Sequence, residues 1–376
     1  MRIGIDARMI SMGGIGTYLK SLLAGLSKLG DDAEYVVFLQ KRDMDSCAGL
    51  GSNFKRVVCV APPYSLAEQM TLPRLLRRER LDLIHHPHYF APFFGKTPMV
   101  ATIHDLIHQL FPVLCPSPLH WRVSKWVIAR TARRARVILT VSEHTKRDII
   151  EHVGVADEKI RVTYNALPPG WEDGRAPRPE ALERLGDTPY FLYVGNHKRH
   201  KNLPLLLDAF ADLLKETSGV RLVMTGERNS LESDLRFLGL GEEVVFPGQI
   251  PLEALPSVYR SALALVFPSH YEGFGYPPLE AMACGVPPIV SDAASLPEVV
   301  GDAGLIVPRG DKDALRNAML RVLREPGLRN VLVGKSKDRA RFFHWEKLAA
   351  ETLRAYHDAL LYSPGRIPAS PSVSRS

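Results

Sequence analysis

The chain has 376 residues, of which 45% are hydrophobic and 24% charged, with a formal net charge of +7. This length is sufficient for two domains with separate cores, and the composition excludes a disordered or fibrous chain. No apolar run approaches the roughly 20 residues that a membrane-spanning helix needs. The first ten residues, MRIGIDARMI, lack the apolar region of a signal peptide. We therefore expect a cytoplasmic protein.

Cysteine spacing and charge distribution narrow the class further. Cys47, Cys59, Cys115 and Cys284 form no CxxC pair, which favours buried thiols over disulfides or a zinc site. Residues 1–170 hold 23 Lys and Arg against 15 Asp and Glu, whereas the rest of the chain is nearly neutral. Such a charge is compatible with an anionic membrane, an anionic substrate or nucleic acid. Because no nucleic-acid-binding module is recognisable, we expect no nucleic-acid partner.

Short β-rich runs alternate with helical segments, such as 15–29, through the first half. Several runs are almost continuous Val, Ile and Leu, as in strands that are buried on both faces of a parallel sheet. The alternation predicts an open parallel sheet covered by helices. The predicted strands are 2–8, 34–40, 56–60, 81–86, 99–105, 136–142 and 161–167.

The segment 167–189 is rich in Pro, Gly and charged residues, which indicates a linker. The α/β alternation then resumes, with helices expected from Asn202 and near the end of the chain. The polar, Pro- and Ser-rich tail 363–376 is expected to be disordered. The second-half strands are predicted at 190–195, 221–226, 244–248, 263–269, 287–292 and 304–308, and the last helices at 311–325, 327–342 and 345–361. The predicted fold class is α/β, with two Rossmann-like, doubly wound domains that face a cleft.

Loops at the strand ends of the first half carry ligand-binding residue types. Gly13, Gly14 and Gly16 precede a helix, where backbone N–H groups can approach an anion. A purely structural turn is the alternative, and the spacing is not the GxGxxG of nicotinamide enzymes. His104, at the end of a central strand, can bind a sugar hydroxyl or phosphate, or can be a satisfied core histidine. The stretch 85–88, with three histidines, could line the same cleft or bind metal, but it lacks a matching carboxylate or cysteine cluster.

A basic loop follows the first strand of the second half. Lys198, Arg199 and Lys201 lie just before a helix, where the macrodipole disfavours cations. A bound diphosphate would remove that conflict, whereas a solvated basic loop is the alternative. Glu227 directly follows the next predicted strand, 221–226, so it also lies at a strand end.

The stretch HYEGFGYPPLEAMACGV places Glu272 and Glu280 eight positions apart around a bent, apolar loop. Gly273 and Gly275 allow the N–H groups around Phe274 to face a phosphate, and proline suits the helix start that follows. Glu280 can then face a ligand from the first turns of the helix. Its alternative role is only to stabilise the helix dipole.

These residues together resemble the retaining glycosyltransferases of group 1, also called family 4, whose signature is E-x7-E. The resemblance extends through GGIG near the start, IHD at 103–105, TVSEHTKRDI at 140–149 and FPGQIP at 246–251. It implies the two-domain GT-B fold. Residues 1–170 plus about 345–362 would form the acceptor-binding domain, and 185–342 the nucleotide-sugar-binding domain.

The resemblance also implies site roles. Glu272, near the transferred sugar, His104 and Lys201, on the donor diphosphate, would be catalytic. Glu280 would bind the nucleotide ribose, and Gly14 would lie near the β-phosphate. Many relatives carry arginine where this chain has Asn196, so Lys198 or Arg199 would have to replace it. The implied donor-binding set is Gly14, Gly195, Asn196, Lys198, Arg199, Lys201, Glu227, Gly273, Phe274, Gly275 and Glu280.

We therefore expect transfer of a hexose from a nucleotide diphosphate sugar, with retention, to a saccharide or lipid-linked saccharide in envelope or extracellular polysaccharide synthesis. The mannosyltransferase-like motifs favour GDP-mannose, and UDP-sugars stay open. No cofactor or metal is expected, because cationic residues can neutralise the diphosphate. A sugar phosphorylase or epimerase of the same shape, and a non-catalytic nucleotide-sugar-binding partner, are the competing hypotheses.

Residues 117–136 add a membrane hypothesis. Trp121 and Trp126 accompany six basic residues in this stretch, a combination that suits an anionic bilayer surface. An exposed helix whose tryptophans lie in the core is the alternative. The expected location is the cytoplasm, at the inner face of the plasma membrane.

Overall fold

The computed structural model describes residues 1–171, 177 and 179–361. The predicted tail and part of the predicted linker lie outside these residues. The described chain forms two all-parallel sheets, of seven and six strands.

The first sheet has the strand order β3-β2-β1-β4-β5-β6-β7. The order reverses between β1 and β4, as in a doubly wound domain. All residues of the interior strand β5 are buried, which explains its largely apolar sequence; its one polar residue, Thr102, is hydrogen-bonded to His85 and Tyr18. The strands are β1 (Arg2–Asp6), β2 (Glu34–Leu39), β3 (Phe54–Val58), β4 (Leu83–His86), β5 (Met99–Ile103), β6 (Val137–Thr140) and β7 (Ile160–Val162).

The second sheet has the order β10-β9-β8-β11-β12-β13 and reverses between β8 and β11. Each predicted strand of both halves has a counterpart, with shorter or shifted bounds. The strands are β8 (Tyr190–Tyr193), β9 (Arg221–Met224), β10 (Val244–Val245), β11 (Ala264–Phe267), β12 (Pro288–Ser291) and β13 (Leu305–Val307). The predicted α/β fold with two Rossmann-like domains is confirmed.

Helices cover both sheets, and local sequence explains several of their ends. Ser117 and Ser142 each accept a backbone N–H of the first turn that they cap, and Gly154 ends a helix in the left-handed conformation. The helices are α1 (Gly13–Leu29), α2 (Leu66–Arg78), α3 (Ile107–Leu110), α4 (Pro118–Arg134), α5 (Glu143–Val153), α6 (Glu180–Glu183), α7 (Leu203–Glu216), α8 (Glu232–Phe237), α9 (Leu255–Arg260), α10 (Tyr276–Ala283), α11 (Leu296–Val300), α12 (Lys312–Arg324), α13 (Pro326–Arg341) and α14 (Trp345–Leu361). None of the helices in the described residues has the length and apolarity to cross a bilayer.

The last helix, α14, returns to the first sheet. It crosses α1 so closely that a Cβ atom on Gly25 would lie 2.5 Å from the Cβ of Ala349. Tyr356 of α14 is fully buried, and its hydroxyl hydrogen-bonds to His85 over 2.7 Å. The C-terminal helix therefore contributes to the core of the first domain.

Candidate functional site

A cavity of about 610 Å³ is lined by side chains of both domains. Part of its lining comes from loops at the carboxyl ends of β5, β8 and β11, and β8 and β11 flank the reversal point of the second sheet. Ligands of doubly wound domains bind at such points. The lining includes these residues that sequence analysis singled out: His104, Asn196, Lys198, Lys201, Glu272 and Gly273.

Lys201 and Glu272 form an ion pair inside this cavity. Nζ of Lys201 donates to Oε1 of Glu272 over 2.7 Å, and only 11% and 13% of the two side chains are exposed. The N–H of His270 donates to the carbonyl of His200 over 2.7 Å, which joins the two loops. A mostly buried ammonium and carboxylate are costly unless paired. Two groups predicted to serve one site are thus in direct contact.

The basic loop turns Lys198, but not Arg199, towards the cavity. Both side chains are exposed, but only Lys198 lines the cavity. Oδ1 of Asn196 accepts the N–H of Lys198 over 3.3 Å, so this side chain helps to shape the loop. Of the two cations that the sequence offered for the role of the missing arginine, Lys198 is the one that reaches the cavity wall. Gly195 has φ +153°, and a Cβ there would lie 2.8 Å from the Tyr193 hydroxyl.

His104 and Asp105 form the end of β5 in the cavity wall. Nε2 of His104 lies 2.9 Å from the carbonyl of Pro87, and since a carbonyl only accepts, Nε2 carries the proton. Burial lowers the pKa of His104 to about 4, so its Nδ1 is an acceptor at neutral pH. Asp105 is a second carboxylate in the cavity lining, besides Glu272. Burial raises the pKa of Asp105.

The glycines of the Glu272 loop permit close contact between the domains. A Cβ on Gly273 would lie 2.1 Å from the carbonyl oxygen of His104. Gly275 has φ +103° and immediately precedes α10. Phe274 is buried and packs edge-on against Phe343, so its side chain belongs to the core. Only its backbone is left to contact a ligand.

Glu280 lies in α10 and is almost completely buried. Its Oε2 accepts the hydroxyl of Tyr259 over 2.6 Å. Burial raises its pKa to about 7, and the Tyr259 bond partly opposes that shift. Glu280 therefore has an environment unlike that of a carboxylate that only serves a helix dipole, although it does not line the main cavity.

The two remaining predicted donor-binding residues have different positions. Gly14 lies inside the first turn of α1, because the helix begins at Gly13 rather than after the glycines as predicted. A Cβ on Gly14 would lie 3.3 Å from the Tyr276 ring of the opposite domain. The Tyr276 hydroxyl has no hydrogen-bond partner among the described residues. Glu227 is exposed at the end of β9 and does not line the cavity.

Residues at the start of α5 and farther along it, in the first domain, form hydrogen bonds to the loop that carries Glu272. Ser142 caps α5 with its Oγ, and the same hydroxyl donates to the carbonyl of Gly273 over 2.8 Å. Further along α5, Asp148 accepts the hydroxyl of Tyr271 over 2.6 Å. The two residues bound in this way, Tyr271 and Gly273, are the neighbours of Glu272 in sequence. The position of Glu272 thus depends on the first domain.

Glu298 of α11 supplies a reciprocal contact. Its Oε1 accepts the N–H of Glu143 over 2.8 Å and the hydroxyl of Tyr164 over 2.7 Å, while Oε2 accepts the N–H of His144 over 3.1 Å. A carboxylate at the start of α5 is favoured by the helix dipole. We call this set, with the Ser142 and Asp148 bonds, the α5 contact.

The three histidines at 85–88 separate into core and cavity residues. His85 is fully buried between Tyr356 and Thr102, and His86 pairs with Asp6, so the hypothesis that they line the cleft is wrong for these two. His88 does line the cavity. Within residues 1–171, 177 and 179–361, no three His, Cys, Asp or Glu side chains are grouped to hold a metal ion.

Sequence reasoning missed several cavity and interface residues. Asp105 had a local signal, since it follows His104 at a strand end. Glu298 had none, because its partners lie more than 130 positions away. Tyr64, in the cavity wall, lies in a loop without a ligand-binding motif.

Comparisons with known proteins identify the family of this chain. The family described as Glycosyl transferases group 1 matches residues 176–339, and Glycosyltransferase Family 4 matches residues 12–170. The O-antigen chain mannosyltransferase B of Escherichia coli is 33% identical over 299 residues, which cover 74% of this chain and 75% of that protein. A D-inositol 3-phosphate glycosyltransferase of Acidothermus cellulolyticus is 27% identical, over 93% of this chain and 86% of that one.

Solved structures share the fold at lower identity. Sucrose-phosphate synthase from Thermosynechococcus elongatus superposes with a TM-score of 0.78 at 22% identity, covering 96% of this chain and 100% of that chain. Anabaena HepE in complex with UDP and glucose gives a TM-score of 0.74 at 18% identity, covering 95% and 99%.

Proposed function

This chain belongs to the group 1 glycosyltransferases of family 4, with the GT-B fold, and from that premise we propose that it transfers a hexose, with retention, to a saccharide or lipid-linked saccharide. The observation that carries the proposal is the Lys201–Glu272 pair facing His104 in a two-domain cavity. It combines a cation for a leaving diphosphate, a carboxylate for a sugar and a neutral imidazole acceptor.

The proposed reaction breaks the bond between the anomeric carbon and the diphosphate oxygen and forms one to the acceptor oxygen on the same face. The acceptor proton passes to the departing phosphate oxygen. Positive charge develops on the sugar ring, as in other glycosyl transfer. Negative charge grows on the diphosphate, where Lys201 and Lys198 are preorganised to stabilise it.

Donor binding would separate Lys201 from Glu272 and give each of them a new partner on the donor. Lys201 would turn from Glu272 to the diphosphate, and the released carboxylate could accept sugar hydroxyls. His104 could accept another hydroxyl at Nδ1, since its Nε2 proton is held by Pro87. The ammonium groups supply the charge neutralisation that a metal ion supplies elsewhere, so we propose a reaction without metal or cofactor.

GDP-mannose is the proposed donor, supported by the 33% identity to an O-antigen chain mannosyltransferase and by a second, RfbU of Salmonella typhimurium, that is 29% identical over 203 residues. An envelope polysaccharide is the corresponding proposed product. The second candidate is a UDP-sugar, because the similar HepE structure contains UDP and glucose.

The test is nucleotide release from GDP-mannose, UDP-glucose, UDP-N-acetylglucosamine and UDP-galactose, in EDTA and without acceptor. We expect slow release from one donor, lost in Lys201→Ala and Glu272→Ala. The matched control is Lys215→Ala, which removes an exposed helix lysine far from the cavity lining. No release and no calorimetric binding of any donor would contradict the proposal.

A membrane contact through α4 is the proposed means of localisation. Trp126 is 52% exposed and lies beside Arg130, while Leu119 and Phe94 are each 70% exposed. Trp121 differs, because its indole N–H donates to the Gln109 carbonyl over 3.0 Å. Exposed apolar side chains next to basic ones suit an anionic bilayer at the inner face of the plasma membrane.

A further inference from the structure

Tyr64 has an unusual backbone conformation in the first-domain wall of the cavity. Its φ is +64°, a left-handed value that side chains with a Cβ rarely adopt. The side chain is 46% exposed and lines the same cavity as Glu272 and Lys201. Backbone strain of this kind persists only where the surroundings impose it, and it concentrates at functional sites.

A buried ion network imposes the conformation. Oε2 of Glu68 accepts the N–H of Tyr64 over 2.8 Å, and its Oε1 contacts Nη2 of Arg8 over 2.6 Å. Arg8 also makes two 2.7 Å bonds to Asp6 and donates to the carbonyl of Ala61 over 3.0 Å. Arg8 and Glu68 are nearly inaccessible to solvent. The network therefore fixes the loop on both sides of the Tyr64 ring.

His88 orients the phenol of Tyr64. The N–H of Phe90 donates to Nδ1 of His88 over 3.2 Å, and burial lowers the pKa of His88 to about 3. The neutral ring therefore carries its proton on Nε2, which donates to the Tyr64 hydroxyl oxygen over 3.1 Å. The hydroxyl proton has two acceptors within reach, the unprotonated Nδ1 of His88 at 3.2 Å, which already accepts the N–H of Phe90, and the sulfur of Met9 at 3.8 Å. Both contacts are long, so a ligand oxygen at an ordinary hydrogen-bond distance can accept this proton in their place.

Aromatic and acidic side chains surround the Tyr64 ring, so its environment disfavours an anionic ligand. Phe90 lies edge-on at 5.3 Å between ring centroids. The carboxylates of Glu68, Asp105 and Asp6 add to burial in raising the pKa of Tyr64, so they repel added negative charge there. Arg8 is one guanidinium paired with two carboxylates, Asp6 and Glu68, so it does not offset both of their charges. The ammonium groups of the cavity lining, Lys198 and Lys201, belong to the opposite wall.

We propose that Tyr64 is the platform of the acceptor subsite and selects an uncharged pyranose ring, which stacks on the phenol and accepts its hydroxyl proton. The inference rests on the proposed function and adds the acceptor class. It makes Tyr64 a specificity-determining residue and the Arg8 network its support. Sugars that carry a phosphate at this position would be rejected by the carboxylates.

The test measures binding by saturation-transfer NMR, with GDP present to fill the donor side. The probes are methyl α-D-mannopyranoside, methyl α-D-glucopyranoside and mannose 6-phosphate. We expect the neutral glycosides to bind and mannose 6-phosphate to bind at least about tenfold more weakly. Loss of the ring in Tyr64→Gly should weaken glycoside binding about tenfold, as loss of an aromatic stacking partner does. Tyr64→Phe, which keeps the ring, should weaken it less.

Three controls separate recognition from folding. Glycine suits a φ of +64°, so Tyr64→Gly should be at least as stable to heat as Tyr64→Ala, and both should lose binding. Phe237→Ala removes an aromatic ring that is 89% exposed on the second domain and should leave glycoside binding unchanged. Calorimetry should find the donor Kd of Tyr64→Gly within about twofold of the wild-type value, since the loss is confined to the acceptor side.

Equal glycoside binding by wild type and Tyr64→Gly, preference for mannose 6-phosphate, or no signal from either glycoside would each overturn the inference. Its failure is distinguishable from failure of the proposed function. If the wild type turns over a nucleotide sugar but glycoside binding ignores Tyr64, only the acceptor platform is wrong.

Discussion

Glu298→Gln tests whether the α5 contact positions Glu272 for transfer. Glu298 accepts three hydrogen bonds from the first domain, two at Oε1 and one at Oε2. Glutamine has one acceptor oxygen and one NH2 group. If the new amide oxygen accepts from Glu143 and Tyr164, as Oε1 of Glu298 does, the amide NH2 group must face the N–H of His144. Two donors then face each other without an acceptor.

The size of the effect follows from these bonds. A hydrogen bond to a charged group contributes about 1.5–3 kcal/mol, against about 1 kcal/mol for a neutral one. Because Glu298 is only partly buried, solvent screening reduces the charge contribution. We expect a loss of about 2 kcal/mol in the contact, which corresponds to about 30-fold in the ratio of docked to undocked loop. Tyr164→Phe, which removes one neutral donor, should cost about 1 kcal/mol or about fivefold.

The assay is nucleotide release from the donor that the panel identifies, together with donor Kd by calorimetry and the radius of gyration in solution. We expect turnover to fall about 10- to 30-fold in Glu298→Gln. The donor Kd should change less, and the radius of gyration should rise as the domains separate. Wild-type turnover in Glu298→Gln, or an equal loss in donor affinity, would refute the positioning role.

Three further predictions concern the loop, its second glutamate and the membrane. Gly273→Ala would place a Cβ 2.1 Å from the His104 carbonyl oxygen, so turnover should fall at least about 100-fold; Gly241→Ala, whose new Cβ would meet nothing nearer than a carboxylate at 3.7 Å, is the matched control. Burial raises the pKa of Glu280 to about 7, so the folded state binds more protons than the unfolded state between about pH 4.5 and 7. Stability should therefore decrease as pH rises through that window, by about 3 kcal/mol, and thermal unfolding of Glu280→Gln should lack this component. Trp126→Ala should reduce cosedimentation with anionic phosphatidylserine vesicles several-fold, and binding to neutral phosphatidylcholine should be weak in both proteins; equal cosedimentation of both would contradict the membrane contact.

The fold class and the main loops of the site can be read from the amino-acid sequence without any knowledge of contacts. Parallel strands that are buried on both faces, such as β5, are apolar along most of their length, so their positions are recognisable without their partners. Ligand-binding residues of doubly wound domains follow those strands, which is why His104, Lys201 and Glu272 could be proposed from their place in the chain. The E-x7-E stretch added the family.

Which of these side chains meet, and what supports them, depends on how the elements pack. Whether Lys198 or Arg199 faces the cavity depends on a local turn, and whether Trp121 or Trp126 is exposed depends on the partners of α4. Glu298 contacts α5 across 155 positions of sequence, and Arg8 reaches Glu68 across 60. Side-chain contacts at such separations are set by the packing of whole elements, and no spacing along the chain encodes them.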